Sequence, residues 1–251
     1  MRSAIAALYS AVVYIFFLAT FTYAIFWVEG ILVPTTIDSG APGDLATSLV
    51  INGALLGLFA VQHTVMARPS FKRVLTKVLP KEMERSTFVL AATLALALLL
   101  WQWRPLPELV WSVTDPVWAG IILAVSWSGW GILLLSTFLI SHFHLFGLTQ
   151  GWAKILKIKD GDGAFVTPLF YKWIRHPLYL GFILAFWAAP QMSVGHLFFA
   201  IMTTGYIFVG IWFEERDLVA HFGERYLTYR RQVGMLVPRL GAPREDKGRV
   251  L

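Results

Sequence analysis

Two groups of polar residues near the carboxyl end of the chain have types that can bind a charged ligand. The first is Arg175-His176-Pro177, and the second is the adjacent pair Glu214-Glu215. Proline is favoured at the first position of a helix, where free backbone N–H groups can bind an anion or a ligand carboxylate. Paired acids suit an ammonium group or a ribose diol. We therefore expect the two groups to bind a ligand that carries both kinds of charge.

Aromatic residues accompany both polar groups. They are Tyr171, Trp173, Tyr179 and Tyr226. An aromatic face attracts a cation such as a sulfonium, so the expected ligand is zwitterionic, positively charged and partly aromatic. S-adenosylmethionine is one such molecule. The alternative interpretation is ordinary membrane anchoring, in which the arginine and histidine contact lipid headgroups and the glutamates pair with Arg216 or Arg231.

The composition places these residues in a membrane protein. Of the 251 residues 57% are hydrophobic and 14% are charged, whereas a soluble domain has about 25% charged residues. Several runs reach the roughly 20 apolar residues that span a bilayer. The chain is therefore predicted to be an all-α, polytopic integral membrane helical bundle. It has no cysteine, which excludes disulfides, cysteine-based zinc sites and a cysteine nucleophile; no metal site is predicted.

The apolar runs predict four spanning helices followed by a helix–turn–helix hairpin. The spans cover about 4–28, 45–66, 86–103 and 116–140, and the hairpin arms cover 178–189 and 194–213. Pro190-Gln191 breaks the hairpin between its arms. The first arm reaches only about 18 Å, which is less than the roughly 30 Å of a bilayer core. We therefore expect that arm to be short or steeply placed.

The basic residues predict the orientation. Of the 21 lysines and arginines, all but Arg104 lie at the amino terminus, at 67–85, at 141–175 or after Phe213. By the positive-inside rule both termini and both basic loops are cytosolic, in a bacterial inner membrane. The net charge of +6 then reflects membrane topology, and nucleic acid is not expected as a partner. The hairpin returns both polar groups to a cytosolic cleft.

Motif pieces across the chain resemble a known superfamily. Arg175-His176-Pro177-x-Tyr179-x-Gly181, Glu214-Glu215-x-x-Leu218 and Phe222-Gly223-x-x-Tyr226 resemble the isoprenylcysteine carboxyl methyltransferases, which are integral membrane enzymes that use S-adenosylmethionine. Further pieces are similar to the methanethiol S-methyltransferase branch: Val61-Gln62-His63, Glu84-Arg85-Ser86-Thr87, His142 to Gln150, and Thr167-Pro168. The resemblance implies methyl transfer to methanethiol, giving dimethyl sulfide and S-adenosylhomocysteine.

The resemblance also implies residue roles. Cofactor binding falls to Gln150, Tyr171, His176, Pro177, Leu178, Tyr179 and Glu214, with Gly163, Ala164, Phe165 and Val166 beside the adenosine. The implied domain covers 1–240, with its cofactor part at about 142–238 and a disordered tail at 241–251. The sequence departs from the pattern at Gly210, where carboxyl methyltransferases carry an arginine, and at His144 and Thr149, where the thiol branch is expected to carry an acid and an arginine.

The implied chemistry needs a thiolate. Methyl transfer is an in-line displacement that depends on positioning, and an alkyl thiol needs a base or a positive field to ionise. His142, His144 and His176 are candidate bases because histidine titrates near neutral pH, and Arg175 is a candidate to stabilise the thiolate. His63, near the end of the second helix, either lines the site or makes structural hydrogen bonds.

The substrate stays open at this level. A small volatile thiol needs only an apolar pocket, whose walls could be Trp130, Phe143, Phe146 and Phe182. A larger lipophilic thiol or an isoprenylcysteine carboxyl group would come from the membrane lipid between helices. A membrane NADPH-dependent reductase of the sterol type would want extra basic residues for the 2′-phosphate. A membrane accessory protein without activity is the remaining alternative, and the oligomeric state is not readable.

Overall fold

Helices form nearly all of the structure. The computed structural model describes residues 2–157 and 166–239 and is 74% helical. Its helices are α1 Arg2–Glu29, α2 Leu45–Ala67, α3 Pro69–Leu75, α4 Lys81–Gln102, α5 Pro116–Ile140, α6 His142–Leu145, α7 Leu148–Leu156, α8 Pro177–Trp187, α9 Val194–Phe222 and α10 Glu224–Gln232. Within the described residues, α1, α2, α4, α5 and α9 are long and apolar enough to cross a membrane. The predicted class, a polytopic helical integral membrane protein, is confirmed.

The membrane hairpin has one helical arm that is short. Helix α8 has 11 residues, or about 16 Å at 1.5 Å per residue. An extended segment completes this arm, and its strand β2 Gln191–Ser193 pairs antiparallel with β1 Leu109–Ser112. The pair also holds the start of α9, where Val194 N–H donates to the Glu108 carbonyl at 2.8 Å. The short helix α8 and the strand β2 together therefore extend this arm to the start of α9.

Two predicted boundaries were wrong. Helix α4 begins at Lys81 rather than at 86, because Glu82 and Glu84 in its first turn favour a helix amino terminus. Helix α9 continues to Phe222 rather than ending near 213, so Glu214 and Glu215 lie inside the helix. The change from apolar to polar residues after Phe213 marks the end of the apolar surface of α9, not the end of the helix. The helix itself ends at Gly223, whose φ of 57° breaks the helical conformation.

Helices α5 and α8 pack against each other through two glycines. A Cβ on Gly129 would lie 2.6 Å from the Gly181 carbonyl oxygen, and a Cβ on Gly181 would lie 2.6 Å from the Gly129 carbonyl oxygen. Ser126 adds a hydrogen bond from its hydroxyl to the Ala185 carbonyl at 3.1 Å. Small residues let membrane helices approach closely, and here they fix where α8 begins.

One end of the bundle gathers the predicted functional residues, and we call it the basic end. It contains the last turn of α2, the first turns of α4 and α8, and the last turns of α9. Arg68 pairs with Asp217 at 3.2 Å, Lys154 pairs with Glu82, and Arg85 Nε donates to the Leu145 carbonyl at 2.7 Å. Arg104 follows α4 at the opposite end. The predicted single domain and its internal division stay predictions, and the 241–251 tail lies outside the described residues.

Candidate active site

The start of α8 is built against the carboxyl-terminal segment. Arg175 N–H donates to the Gly234 carbonyl at 2.8 Å, and His176 N–H donates to the Met235 carbonyl at 3.1 Å. A Cβ on Gly234 would collide with the Val237 carbonyl oxygen. The sequence analysis gave Gly234 no role. Its only signal was a lone glycine between a polar helix and Val237-Pro238.

Arg175 is a buried anchor. Its Nε donates to Glu215 Oε1 at 2.7 Å, and one of its terminal nitrogens donates to the carbonyls of Arg230 at 3.0 Å and Val233 at 2.5 Å. Only 8% of the side chain is exposed. These contacts join the start of α8 to α9 and to the end of α10. They favour a positioning role for Arg175, and the thiolate-stabilising role stays a prediction.

His176 lies between the paired glutamates. Its Nε2 is 3.1 Å from Glu215 Oε1, and its Nδ1 is 3.9 Å from Glu214 Oε2. The side chain of Glu215 is 11% exposed, whereas that of Glu214 is 44% exposed. The two acids therefore differ: Glu215 contacts the buried side chains of Arg175 and His176, and Glu214 presents its carboxylate to solvent.

Tyrosines surround the exposed carboxylate of Glu214. Tyr171, Tyr179 and Tyr226 all lie within electrostatic range of it. Burial, followed by the negative charge of Glu214, raises the pKa of Tyr171 above its usual value. Burial is also the main cause that raises the pKa of Tyr226. A carboxylate among neutral aromatic rings is an arrangement that suits an organic cation.

The remaining predicted cofactor residues lie on several elements. Pro177 is buried at the first position of α8, and Leu178 packs against the main hydrophobic core. Gln150 on α7 donates from Nε2 to the His144 carbonyl at 3.1 Å, and its Oε1 is buried without a hydrogen-bond partner among the described residues. Val166 is exposed. Gly163, Ala164 and Phe165 lie outside the described residues.

Comparison with known proteins adds the family. A methanethiol S-methyltransferase of Bradyrhizobium diazoefficiens is 52% identical over 234 residues, which cover 93% of this chain and 82% of the relative. A methanethiol S-methyltransferase of Mycobacterium tuberculosis is 47% identical over 238 residues, which cover 95% of this chain and 98% of the relative. The chain belongs to the methanethiol S-methyltransferase family. No family model matches the sequence, and no solved structure matches it either.

His142, a candidate base in this member of the methanethiol S-methyltransferase family, has both ring nitrogens occupied. Nδ1 lies 2.8 Å from Thr137 Oγ1, and Nε2 lies 2.7 Å from the Tyr14 hydroxyl. Thr137 donates its own proton to the Leu134 carbonyl at 2.6 Å, so His142 Nδ1 must be the donor and Nε2 the acceptor. Burial lowers the pKa of His142. This geometry favours a structural role.

The other histidines differ in position. His144 is exposed on α6. His196, which was expected to be structural, lies at the opposite end of the bundle, where its Nε2 is 2.9 Å from the Phe186 carbonyl. His63 lies at the basic end, and its Nδ1 is buried without a hydrogen-bond partner among the described residues. Among the histidines of the described residues, His63 is therefore the one with an unsatisfied buried nitrogen.

A second polar cluster, which includes His63, lies where α2 faces α4. It contains Gln62 and His63 from α2 and Glu84 and Arg85 from α4. Gln62 Oε1 and Glu84 Oε1 are also buried without partners among the described residues. These residues carry part of the family resemblance in the sequence, and only His63 had a predicted role.

One face of α9 connects the second polar cluster to Glu214. Tyr206, Gly210 and Glu214 are spaced by four residues, so they share one face of the helix. The Tyr206 hydroxyl is 3.3 Å from Thr64 Oγ1, and the Tyr206 ring centroid is 6.4 Å from that of His63. A Cβ on Gly210 would lie 3.7 Å from the Tyr179 hydroxyl. The stripe therefore runs from the second polar cluster to the exposed carboxylate.

The four residues predicted as apolar walls lie in different packing environments. Trp130 and Phe182 belong to the main core, and Trp130 donates to Glu29 Oε1 at 2.7 Å. Phe146 packs in a separate cluster around Phe88, and Phe143 is exposed. These residues are divided between two hydrophobic clusters and the surface, and their role as walls of a thiol pocket stays a prediction.

Proposed function

We propose that this protein transfers a methyl group from S-adenosylmethionine to methanethiol, releasing dimethyl sulfide and S-adenosylhomocysteine. The observation that carries the proposal is the half-exposed carboxylate of Glu214 among tyrosines, in a chain of this family. S-adenosylmethionine, when bound, supplies an electrophilic methyl group on a sulfonium. The protein then has to hold the sulfonium and thiol in line and exclude water, because positioning contributes much of the rate.

The side chains fit such a ligand. Glu214 can accept hydrogen bonds from an ammonium group or a ribose diol, and His176 Nδ1 lies 3.9 Å from its Oε2. The backbone N–H groups of Leu178 and Tyr179, in the first turn of α8, can bind a carboxylate. Gln150 Oε1, buried without a partner among the described residues, can accept from a ligand amine. Together these groups provide acceptors for the cationic parts and donors for the anionic part.

The orientation is part of the proposal. The positive-inside rule puts the basic end at the cytosol, where S-adenosylmethionine is made and where the product nucleoside is recycled. The cleft at the start of α8 would then open to the cytosol, and the small apolar thiol would arrive from either water or lipid.

Gly210 favours a thiol over a carboxyl substrate. The carboxyl methyltransferases that the sequence resembles carry an arginine at this position, four residues before the cofactor-binding glutamate. Here the position has no side chain, and among the described residues the Tyr179 hydroxyl is the group that approaches it. A substrate carboxylate would therefore lack its cation.

Methyl transfer by the purified protein tests the proposal directly. The protein in detergent is incubated with S-adenosylmethionine labelled in its methyl group and with methanethiol, and dimethyl sulfide is measured by gas chromatography. We expect labelled dimethyl sulfide that depends on both substrates. Methylation of a prenylcysteine analogue without methylation of methanethiol would favour the carboxyl alternative. Hydride transfer from NADPH to a sterol, without methyl transfer, would favour the reductase.

A further inference from the structure

The facing ends of α2 and α4 contain buried polar atoms that no described residue satisfies. They are Gln62 Oε1, His63 Nδ1 and Glu84 Oε1. Buried polar groups in native proteins are nearly always hydrogen-bonded, so an unsatisfied group needs an explanation. Three of them on two neighbouring helices point to a place where a group outside the described residues completes the hydrogen bonds.

Three aromatic rings lie close to His63. Its ring centroid is 4.8 Å from that of Phe88, 5.5 Å from that of Phe59 and 6.4 Å from that of Tyr206. These rings leave an apolar environment around one imidazole. A short alkyl thiol, which is apolar except for its S–H group, matches such an environment.

A cation lies beside the same aromatic wall. The guanidinium carbon of Arg85 is 4.8 Å from the centre of the Phe88 ring, while Arg85 Nε is held by the Leu145 carbonyl. The charged or titratable groups around His63 are therefore Glu84 and Arg85 from α4 and Tyr206 from α9. A fixed positive charge favours a thiolate over a thiol.

The distance to Glu214 fits a shared reaction centre. The Tyr206 ring lies beside that of His63. Glu214 follows Tyr206 by eight positions on α9, or about 12 Å along the axis. Tyr179 lies between them over Gly210. A ligand held at Glu214 would therefore extend towards His63 past the Tyr179 ring.

We propose that His63 is the proton acceptor for the thiol and that Phe59, Phe88 and Tyr206 form the wall of the thiol pocket. This role rests on the proposed function. The thiol S–H proton goes to the imidazole as the sulfur forms a bond to the methyl carbon. The bond between that carbon and the sulfonium breaks, and its electron pair stays on the leaving sulfur. The imidazolium then loses its proton to water.

The first test uses the pH dependence of the unmodified protein. With methanethiol, kcat/KM should rise with pH and then level off above the pKa of a histidine, because the base is fully neutral there. A kcat/KM that keeps rising in proportion to hydroxide, towards the pKa of the thiol itself, would overturn the role of His63. This measurement does not depend on whether any variant folds.

The second test removes the imidazole. His63→Gln should lower methanethiol turnover at neutral pH by about 10²- to 10⁴-fold, the usual effect of losing a general base, and its rate should then increase about tenfold per pH unit. Turnover of hydrosulfide, a sulfur nucleophile of similar size that is already ionised, should fall much less in this variant. Equal losses with both nucleophiles would indicate a structural role and would contradict the proposal.

Two controls separate the possible failures. His63→Gln should bind S-adenosylhomocysteine in calorimetry as the unmodified protein does, because the cofactor groups lie at Glu214. His221→Gln changes an exposed histidine at the end of α9 and should leave turnover unchanged. An unmodified protein that methylates no thiol would overturn the proposed function itself, whereas an active one with an unaffected His63→Gln variant would overturn only the role of His63.

Discussion

Neighbouring residues on a helix point about 100° apart, and this separates the roles of Glu214 and Glu215. Glu215 turns inward to Arg175 and His176 at 2.7 and 3.1 Å. Glu214 turns outward and is 44% exposed. A substitution of Glu214 should therefore affect ligand binding, whereas a substitution of Glu215 should affect folding.

Glu214→Gln should weaken S-adenosylmethionine binding and leave the fold intact. A hydrogen bond to a charged group contributes about 1.5–3 kcal/mol, which corresponds to about a 10- to 150-fold loss of affinity. Calorimetric titration measures the affinity. The matched control is Glu215→Gln, which should instead lower the midpoint of thermal unfolding because it leaves Arg175 buried and unpaired. Unchanged affinity in Glu214→Gln would return this acid to a surface role.

Arg175→Ala should reduce stability more than it reduces chemistry. Removing one partner of a buried ion pair costs about 3–5 kcal/mol, and here it also frees the carbonyls of Arg230 and Val233. Thermal unfolding in detergent and single-turnover rates are measured together. A variant with unchanged stability and cofactor affinity but a lower rate would instead support the thiolate-stabilising role.

His142 should make the protein sensitive to acid. Burial lowers its pKa in the folded state below the unfolded value of about 6.5. The stability that comes from the neutral ring is therefore fully present above about pH 6.5 and is lost as the pH falls through the folded pKa. The midpoint of unfolding should fall with acid less steeply in His142→Gln than in the unmodified protein. An exposed-site control, His144→Gln, should keep the original dependence.

At the scale of helices, the contact of α5 with α8 controls the site. The two glycines bring the backbones together where no side chain fits. Since α8 begins directly after His176, a shift of this helix would move the histidine and the backbone N–H groups that are proposed to bind the cofactor.

Gly181→Val should therefore lower both stability and cofactor affinity. The added side chain meets the Gly129 carbonyl and the Leu133 backbone, and overpacking of this kind costs about 1–3 kcal/mol. The control is Gly131→Val on α5, where nothing lies within 4 Å of an added Cβ. Similar unfolding midpoints for the two variants would show that the close contact does not matter.

At the scale of the whole molecule, the charge distribution predicts the orientation. The chain has no cysteine, so single cysteines can be introduced at Lys172, Arg216 and Pro34, all in exposed positions. We expect an impermeant thiol reagent to label Lys172→Cys and Arg216→Cys only from the cytosolic side. Pro34→Cys, in the loop after α1, should be labelled only from the other side. The reverse pattern would contradict the orientation and the cytosolic cleft.

Local features of the sequence determined the spans. The spans are predicted from the lengths of the apolar runs and the break at Pro190, and the orientation is predicted from the asymmetry of the basic residues. Both predictions compare the sequence with properties of the bilayer that do not depend on the fold. The helix from 116 to 140 was predicted with the bounds that the structure has. The short first arm of the hairpin followed from the same comparison, although its completion by the strand pair did not.

Tertiary contacts decided what each polar residue does. Only the folded chain shows that Thr137 and Tyr14 occupy both nitrogens of His142, that Arg175 is enclosed by Glu215 and backbone carbonyls, and that His63 keeps an unsatisfied nitrogen. Residue type gives the chemistry that a side chain can perform. Whether the side chain is free to perform it depends on partners that are distant in the sequence, and those partners are set by the rotation and packing of the helices.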